Sequence, residues 1–195
     1  MHGLVNRSIQ YFITDTYGVN FWERVIDHAE VGFRDFDSFN TYDDALTVKL
    51  IAATSAILKK PLTTTLEDLG TYLVGNPSVY HVRRLLRLSG THFTEFLTEL
   101  EDLPERAKLA LPDLDLPELR LLRCGPTDFQ LSVDYPLPGA AYVVTGVLRA
   151  MADDYGALVV MDVNTNSEGR EVISLTMPDP SFMAGRKFDL ARVAK

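Results

Sequence analysis

The sequence predicts an α+β fold, a helical N-terminal half followed by an antiparallel sheet with helices on one face. Three observations carry this. Apolar residues recur at three-to-four spacing through the first half of the chain, the mark of amphipathic helices. "DFQLSVDY" (128–135) alternates Phe129, Leu131 and Val133 with polar residues, as a half-buried strand does. "ALVVMDV" (157–163) and "REVISLTM" (170–177) flank the turn-rich "NTNSEG", which reads as a hairpin.

The elements follow in order. In "NFWERVIDHAEV", Phe21, Trp22, Val25, Ile26 and Ala29 form one apolar stripe on a short helix after Gly18. "TYDDALTVKLIAATSAILKK" offers a cap between Thr41 and Asp44, then a helix of small residues stopped by Pro61. "TTTLEDLGTYLVG" is capped by threonine and ends near Gly75 and Pro77. The longest pattern, "VYHVRRLLRLSGTHFTEFLTEL" (79–100), keeps Val82, Leu85, Leu86, Phe93, Phe96, Leu97 and Leu100 on one helical face. Ser89 and Gly90 fall on that face and would let a second helix or a flat ligand come close. Pro104 then stands in the first turn of a helix running to Leu111, where its missing N–H costs nothing. "AAYVVTGVLRAMADDYG" (140–156) is a further helix, with Val144, Val147, Leu148, Met151 and Tyr155 on one side. Residues 178–195 are polar and proline-bearing and read as a tail.

Composition narrows the function. With 195 residues, 46% of them hydrophobic, the chain can bury one substantial core. A net charge of −8, from 27 acidic against 19 basic residues, offers no broad cationic surface, which argues against nucleic acid and anionic membranes as partners. The single cysteine, Cys124, excludes an internal disulfide and suits a reducing, cytoplasmic setting; it reads as a buried, inert thiol. The N-terminal stretch lacks the pattern of a signal peptide, and no apolar run reaches bilayer-spanning length. No Gly-x-Ser-x-Gly, His-Glu-x-x-His, phosphate loop or dinucleotide fingerprint occurs, so the reading is not an enzyme.

"MHGLVNRSI", "YG" with "FWERV", "YDDALTVKLIAATSAIL" and "LLRLSGTHFTEFLTELEDL" stand in an order and spacing that resembles the haem nitric oxide/oxygen binding family. These H-NOX or HNOB domains also form the N-terminal regulatory part of soluble guanylate cyclase. The resemblance covers residues 1–177 and implies a helical subdomain (1–111) and an α/β subdomain (112–177) that clamp a haem. It also implies a proximal histidine after the "LEDL" helix end and a Tyr-x-Ser-x-Arg motif for the propionates. Here the proximal position holds Pro104; Tyr135 is retained, while Leu137 and Gly139 stand where serine and arginine belong. Proline offers iron no lone pair, and without the guanidinium the propionates lose their bidentate partner. The expectation is therefore a haem-independent sensor or regulatory domain acting on a signalling protein in trans, a cyclic-nucleotide enzyme or a histidine kinase.

Two alternatives remain. One is a haem-binding nitric oxide sensor in which His92 ligates the iron; His81, His28 and His2 read as structural or exposed. The other is a binder of a different apolar small molecule, in a pocket lined by Ile9, Leu73, Leu97 and Val143.

Overall fold

The computed structural model describes residues 1–79, 86 and 91–178. Helix α1 (Gly3–Tyr17) starts at His2, whose Nδ1 accepts the Leu4 N–H at 3.1 Å. It ends at Gly18 (φ +89), a conformation open to glycine, so α2 (Val19–His28) follows without a loop. The apolar spacing alone does not predict α1, because its core face carries Asn6 and Gln10, both buried. Their partners come from afar. Thr47 Oγ1 donates to Asn6 Oδ1 at 2.7 Å, and Gln10 Nε2 donates to Asp35 at 2.8 Å while its carbonyl accepts the Phe36 N–H.

Helix α3 (Asp44–Leu58) has the expected cap and stop, and α4 (Leu62–Gly75) ends where expected, but the threonine cap expected for α4 does not form. Pro61 is its N-cap, without a side-chain cap, and Thr63, Thr64 and Thr65 lie inside the helix, where Thr65 Oγ1 donates to the Pro61 carbonyl at 3.2 Å. The Asp43 carboxylate accepts the Ala45 N–H at 2.8 Å, and α3 ends where Lys59 turns left-handed just before Pro61.

The long helix expected over 79–100 needs correction. Residues 80–85 and 87–90, with His81, lie outside the described residues, but Thr91 and His92 are not helical, and α5 (Phe93–Glu99) starts afresh. The cause is local. Glu95 accepts the Thr91 N–H (2.7 Å), the Thr91 hydroxyl (2.9 Å) and the His92 N–H (3.3 Å), a competitor to the helical ladder. Those hydrogen bonds, the Thr91 N–H foremost, hold the Glu95 carboxyl below the usual range. A 3₁₀ turn (Leu100–Asp102) then leads into α6 (Leu103–Ala110).

Strands β1 (Glu118–Arg123) and β2 (Asp128–Asp134), helix α7 (Ala140–Tyr155), and strands β3 (Val160–Thr165) and β4 (Glu171–Thr176) complete the chain. The sheet is antiparallel throughout, in the order β1-β2-β4-β3. Its register puts Leu121, Leu131, Ile173 and Val163 in one row. That row belongs to a core cluster with Phe93, Phe96, Leu97, Leu148 and Met151, so α5 and α7 cover this one face. A second cluster, with Ile9, Phe12, Trp22, Leu50 and Leu69, fills the space among α1 to α4.

The clusters meet where α4 crosses α7. A methyl at Gly70 would overlap the Val143 carbonyl oxygen, and one at Gly146 would overlap that of Glu67, so both positions require glycine. Thr71 Oγ1 donates to Gly146 O at 3.3 Å, and Arg149 pairs with Glu67 at 2.7 Å. Cys124 is exposed rather than buried, because it falls just past the end of β1, in the turn that leads to β2. Among the described residues no helix is long and apolar enough to cross a membrane.

Candidate functional site

Pro104 occupies the first turn of α6 and is buried. The turn before it is tied to the sheet, since Glu101 Oε1 accepts the Leu121 N–H of edge strand β1 at 2.7 Å. That bond fixes the α5–α6 corner against the sheet. The Pro104 nitrogen is part of a tertiary amide, so the corner presents neither a donor nor a lone pair there.

Tyr135 follows β2 and lines a hollow of about 180 Å³ together with Met1, His2, Thr41, Asp44, Asp113, Asp115, Pro136 and Leu137. Its hydroxyl donates to the Asp115 carbonyl at 3.4 Å and reaches Met1 Sδ at 3.6 Å. Burial, then the charges of Asp115 and Asp44, push the phenol up from its ordinary value, so it stays neutral at physiological pH. Asp44 pairs with the Met1 amino group at 2.6 Å, and among the described residues no lysine or arginine lines the hollow. Three carboxylates against the one Met1 ammonium leave the hollow negative, which favours cationic groups and repels carboxylates.

Gly139 stands at φ +92, ψ 1, before the first turn of α7, and a Cβ there would lie 2.6 Å from Leu66 Cδ1. The position where the family resemblance implies an arginine is thus one that glycine occupies without strain.

Of the four candidate pocket residues, Ile9, Leu73 and Val143 come together in the N-terminal cluster, whereas Leu97 lies in the other. Ile9 and Leu97 are fully buried; Leu73 and Val143 are partly so. None lines the Tyr135 hollow, nor a second hollow of about 350 Å³ between α2 and α3 bounded by His28, Ala29, Glu30, Lys49, Ala52, Ala53 and Ala56.

His92 is the N-cap of α5, at φ −124 and ψ 152. Its Nδ1 is buried without a hydrogen-bond partner among the described residues. From there to Pro104 the chain runs along α5 and the 3₁₀ turn, a rise on the order of 15 Å. Among the described residues no group of three or more His, Cys, Asp or Glu side chains is arranged to hold a metal ion.

Sequence reasoning missed Asp44, Asp113 and Asp115 as neighbours of Tyr135, and Glu171, which meets the start of α7. The isolated bridge between His2 and Thr41 and the salt bridge from Met1 to Asp44 bring the N-terminal segment to this place, and no local pattern reports them.

The family model described as Haem-NO-binding matches residues 2–163. Soluble guanylate cyclase 89Db of Drosophila melanogaster is 23% identical over 121 residues, 62% of this chain and 18% of that protein. Soluble guanylate cyclase gcy-31 of Caenorhabditis elegans is 24% identical over 154 residues, 79% of this chain and 22% of that protein. The match thus spans about a fifth of these curated relatives. In three dimensions the chain is similar to an unliganded Fe(II) H-NOX protein from K. algicida, with a TM-score of 0.77 at 14% identity, covering 92% of this chain and 97% of that one. It is also similar to the Fe(II)NO form of an H-NOX protein from S. oneidensis, with a TM-score of 0.76 at 13% identity, covering 92% of this chain and all of that one. At these identities the likeness to solved structures is one of fold.

Proposed function

Since the chain belongs to the haem-NO-binding family, we propose that it is a regulatory domain that keeps the H-NOX fold and works without haem. The observation that carries this reading is the buried Pro104, held by the α5–α6 corner that Glu101 ties to β1, at the position we read from the family resemblance as that of the proximal ligand. Iron needs a lone pair there, and proline has none to give. The charge clamp is altered in the same sense. Among the described residues, three aspartates and no arginine line the hollow of Tyr135, so two propionates would meet repulsion where they need a guanidinium. We read this donor set as unfit for haem.

A domain of this kind regulates through its surface. We assign it a signalling protein in trans, either a cyclic-nucleotide enzyme or a histidine kinase. The relatives named as soluble guanylate cyclases, of which the matched part is about a fifth, support that class of partner. The division at residue 111 into a helical and an α/β subdomain is part of the same proposal; the tail expected from residue 178 falls on 179–195, outside the described residues. So is the place of Ile9, Leu73, Leu97 and Val143 as packing residues rather than the lining of a ligand pocket.

Titration of the purified protein with haem, in the reduced state and with and without nitric oxide, tests the proposal. The expected result is no sharp, saturable Soret band. A stoichiometric band that responds to nitric oxide would overturn it. One observation favours a second reading, a nitric oxide sensor ligated by His92: its buried Nδ1, which faces the Glu95 N–H as in a capping box but without the geometry of a full hydrogen bond. If a band forms and is lost in His92→Ala, that reading replaces the first.

A further inference from the structure

Helices α5 and α7 cover one face of the sheet, and among the described residues no element covers the other. The uncovered face is a trough. Its two central strands present the short side chains of Ser132 and Ser174, while Leu122 on edge strand β1 and Val160 on edge strand β3 stand at its margins, 60% and 61% exposed. Three strand spacings make it about 14 Å wide, room for one further segment of chain, extended or helical. Single exposed hydrophobics need no partner, but Leu122, Val160 and Leu158 gather at the end of the sheet where β4 runs out beside Val160.

The chain leaves the sheet at that same end. Met177 is buried in the core cluster, its N–H donating to the Thr127 carbonyl at 2.9 Å, and Pro178 after it is exposed. Pro178 and Pro180 have no N–H with which to prolong β4, and Asp179–Pro180 is a turn signal. Residues 179–195 bring Phe182, Met183, Phe188, Leu190 and Val193, and hold four of the chain's 19 basic residues but only two of its 27 acidic ones. A chain of net charge −8 is thus a segment at +2 joined to a domain at −10. On the uncovered face Asp134 and Asp162 are exposed, and among the described residues no lysine or arginine pairs with them or with Asp128.

We infer that residues 179–195 dock on this uncovered face of their own chain, apolar side chains against Leu122, Leu158 and Val160 and basic ones toward the aspartates. Length permits it, since the 17 residues extend to on the order of 55 Å, whereas the six-residue β4 is about 20 Å long. A protein partner that uses this face must displace the segment, whether or not haem binds.

The test uses the full chain, labelled for NMR, with a nitroxide on Cys124, the single cysteine, which is exposed just past the end of β1. The amide signals of residues 186–193 are expected to lose most of their intensity, equally in concentrated and dilute samples. Leu122→Asp, at an exposed position that spares the core, is expected to restore them, as is the tail double variant Arg186→Glu, Lys187→Glu; raised salt is expected to restore them in part. Intensity loss confined to the residues next to Pro178 would overturn the docking, and so would a loss that neither variant changes. If nitroxide-bearing chains without the NMR label produce the same loss in labelled chains without nitroxide, the segment docks on a second copy and the assignment to its own chain falls.

Discussion

Gly70 on α4 lies directly against Gly146 on α7, so close that a methyl at residue 70 would stand 3.0 Å from the Gly146 Cα and inside the Val143 carbonyl. This crossing joins the two hydrophobic clusters of the chain. Because backbone rather than a flexible side chain would be displaced, Gly70→Ala and Gly146→Ala are each expected to destabilise the protein by about 1–3 kcal/mol, the usual cost of overpacking. Gly75, on the last turn of α4, has open space around its missing side chain and serves as the control. Gly75→Ala is expected to be neutral or to stabilise by up to about 1 kcal/mol. Urea unfolding of the three variants checks the contrast; equal behaviour of Gly70→Ala and Gly75→Ala would mean that α4 and α7 are not in backbone contact.

Gly139 limits what can be rebuilt beside Tyr135. An arginine there would hold φ near +92 with its Cβ 2.6 Å from Leu66 Cδ1. A left-handed non-glycine residue costs roughly 1–2 kcal/mol, whereas the overlap adds little, because the atom met is the free end of the Leu66 side chain, which can swing aside. Gly139→Arg is therefore expected to lower the unfolding free energy, and Gly139→Ala to lower it by nearly as much, since both carry the Cβ. Denaturant midpoints distinguish this from a simple charge effect, which would spare the alanine variant.

Alkaline pH tests the two phenols. Tyr72 donates to Asp15 Oδ2 at 2.6 Å, and burial first, then that hydrogen bond and the Asp15 charge, raise its pKa; burial and Asp115 raise that of Tyr135. An acid whose folded pKa lies above its unfolded value of about 10 binds more protons in the native state. Stability is thus unaffected by these groups below about pH 10 and falls as pH rises through and beyond it, because only the unfolded chain ionises. Unfolding free energies measured across that range are expected to decline, with a shallower decline in a Tyr72→Phe, Tyr135→Phe double variant. Native-state tyrosinate absorbance that rises for every tyrosine near pH 10 would contradict the assignment.

Much of the fold was legible because its signals are local. Gly18, Asp43, Pro61 and Gly156 mark helix ends by backbone chemistry within a turn or two, and β2 and β4 alternate cleanly between core and solvent. Helix α1 was hidden by Asn6 and Gln10, which look like solvent-facing residues until Thr47, Asp35 and Phe36 arrive from elsewhere in the chain. The break at Thr91–His92 was hidden for the opposite reason, an apolar period that carries on across a competing set of side-chain hydrogen bonds from Glu95. In the candidate site Pro104 could be placed from the helix around it, whereas the acids around Tyr135 could not, because Asp44 and Asp113 meet only through tertiary structure. Cys124 departs from the expected burial because it lies past the end of β1, where the alternation of the strand no longer dictates which way a side chain faces.

The last prediction concerns Pro104→His. Proline in a helix first turn lowers the entropy of the unfolded chain and forgoes no hydrogen bond, so losing it costs about 0.4–1 kcal/mol. Because the position is buried, the larger, polar imidazole costs about a further 1–3 kcal/mol, and circular dichroism checks that the variant folds before haem is added. An imidazole at this corner supplies a ligand atom but changes nothing around Tyr135, where Asp44, Asp113 and Asp115 remain. If ligation and charge compensation are both required, Pro104→His alone is expected to bind haem weakly at most, without a stoichiometric nitric-oxide-sensitive Soret band. Adding Asp115→Asn and Asp113→Asn removes two negative charges from the hollow and is expected to strengthen haem binding in the Pro104→His background but not in the wild type. A tight band in Pro104→His by itself would show that the axial bond was the one part missing, and that the acidic hollow is irrelevant to the cofactor.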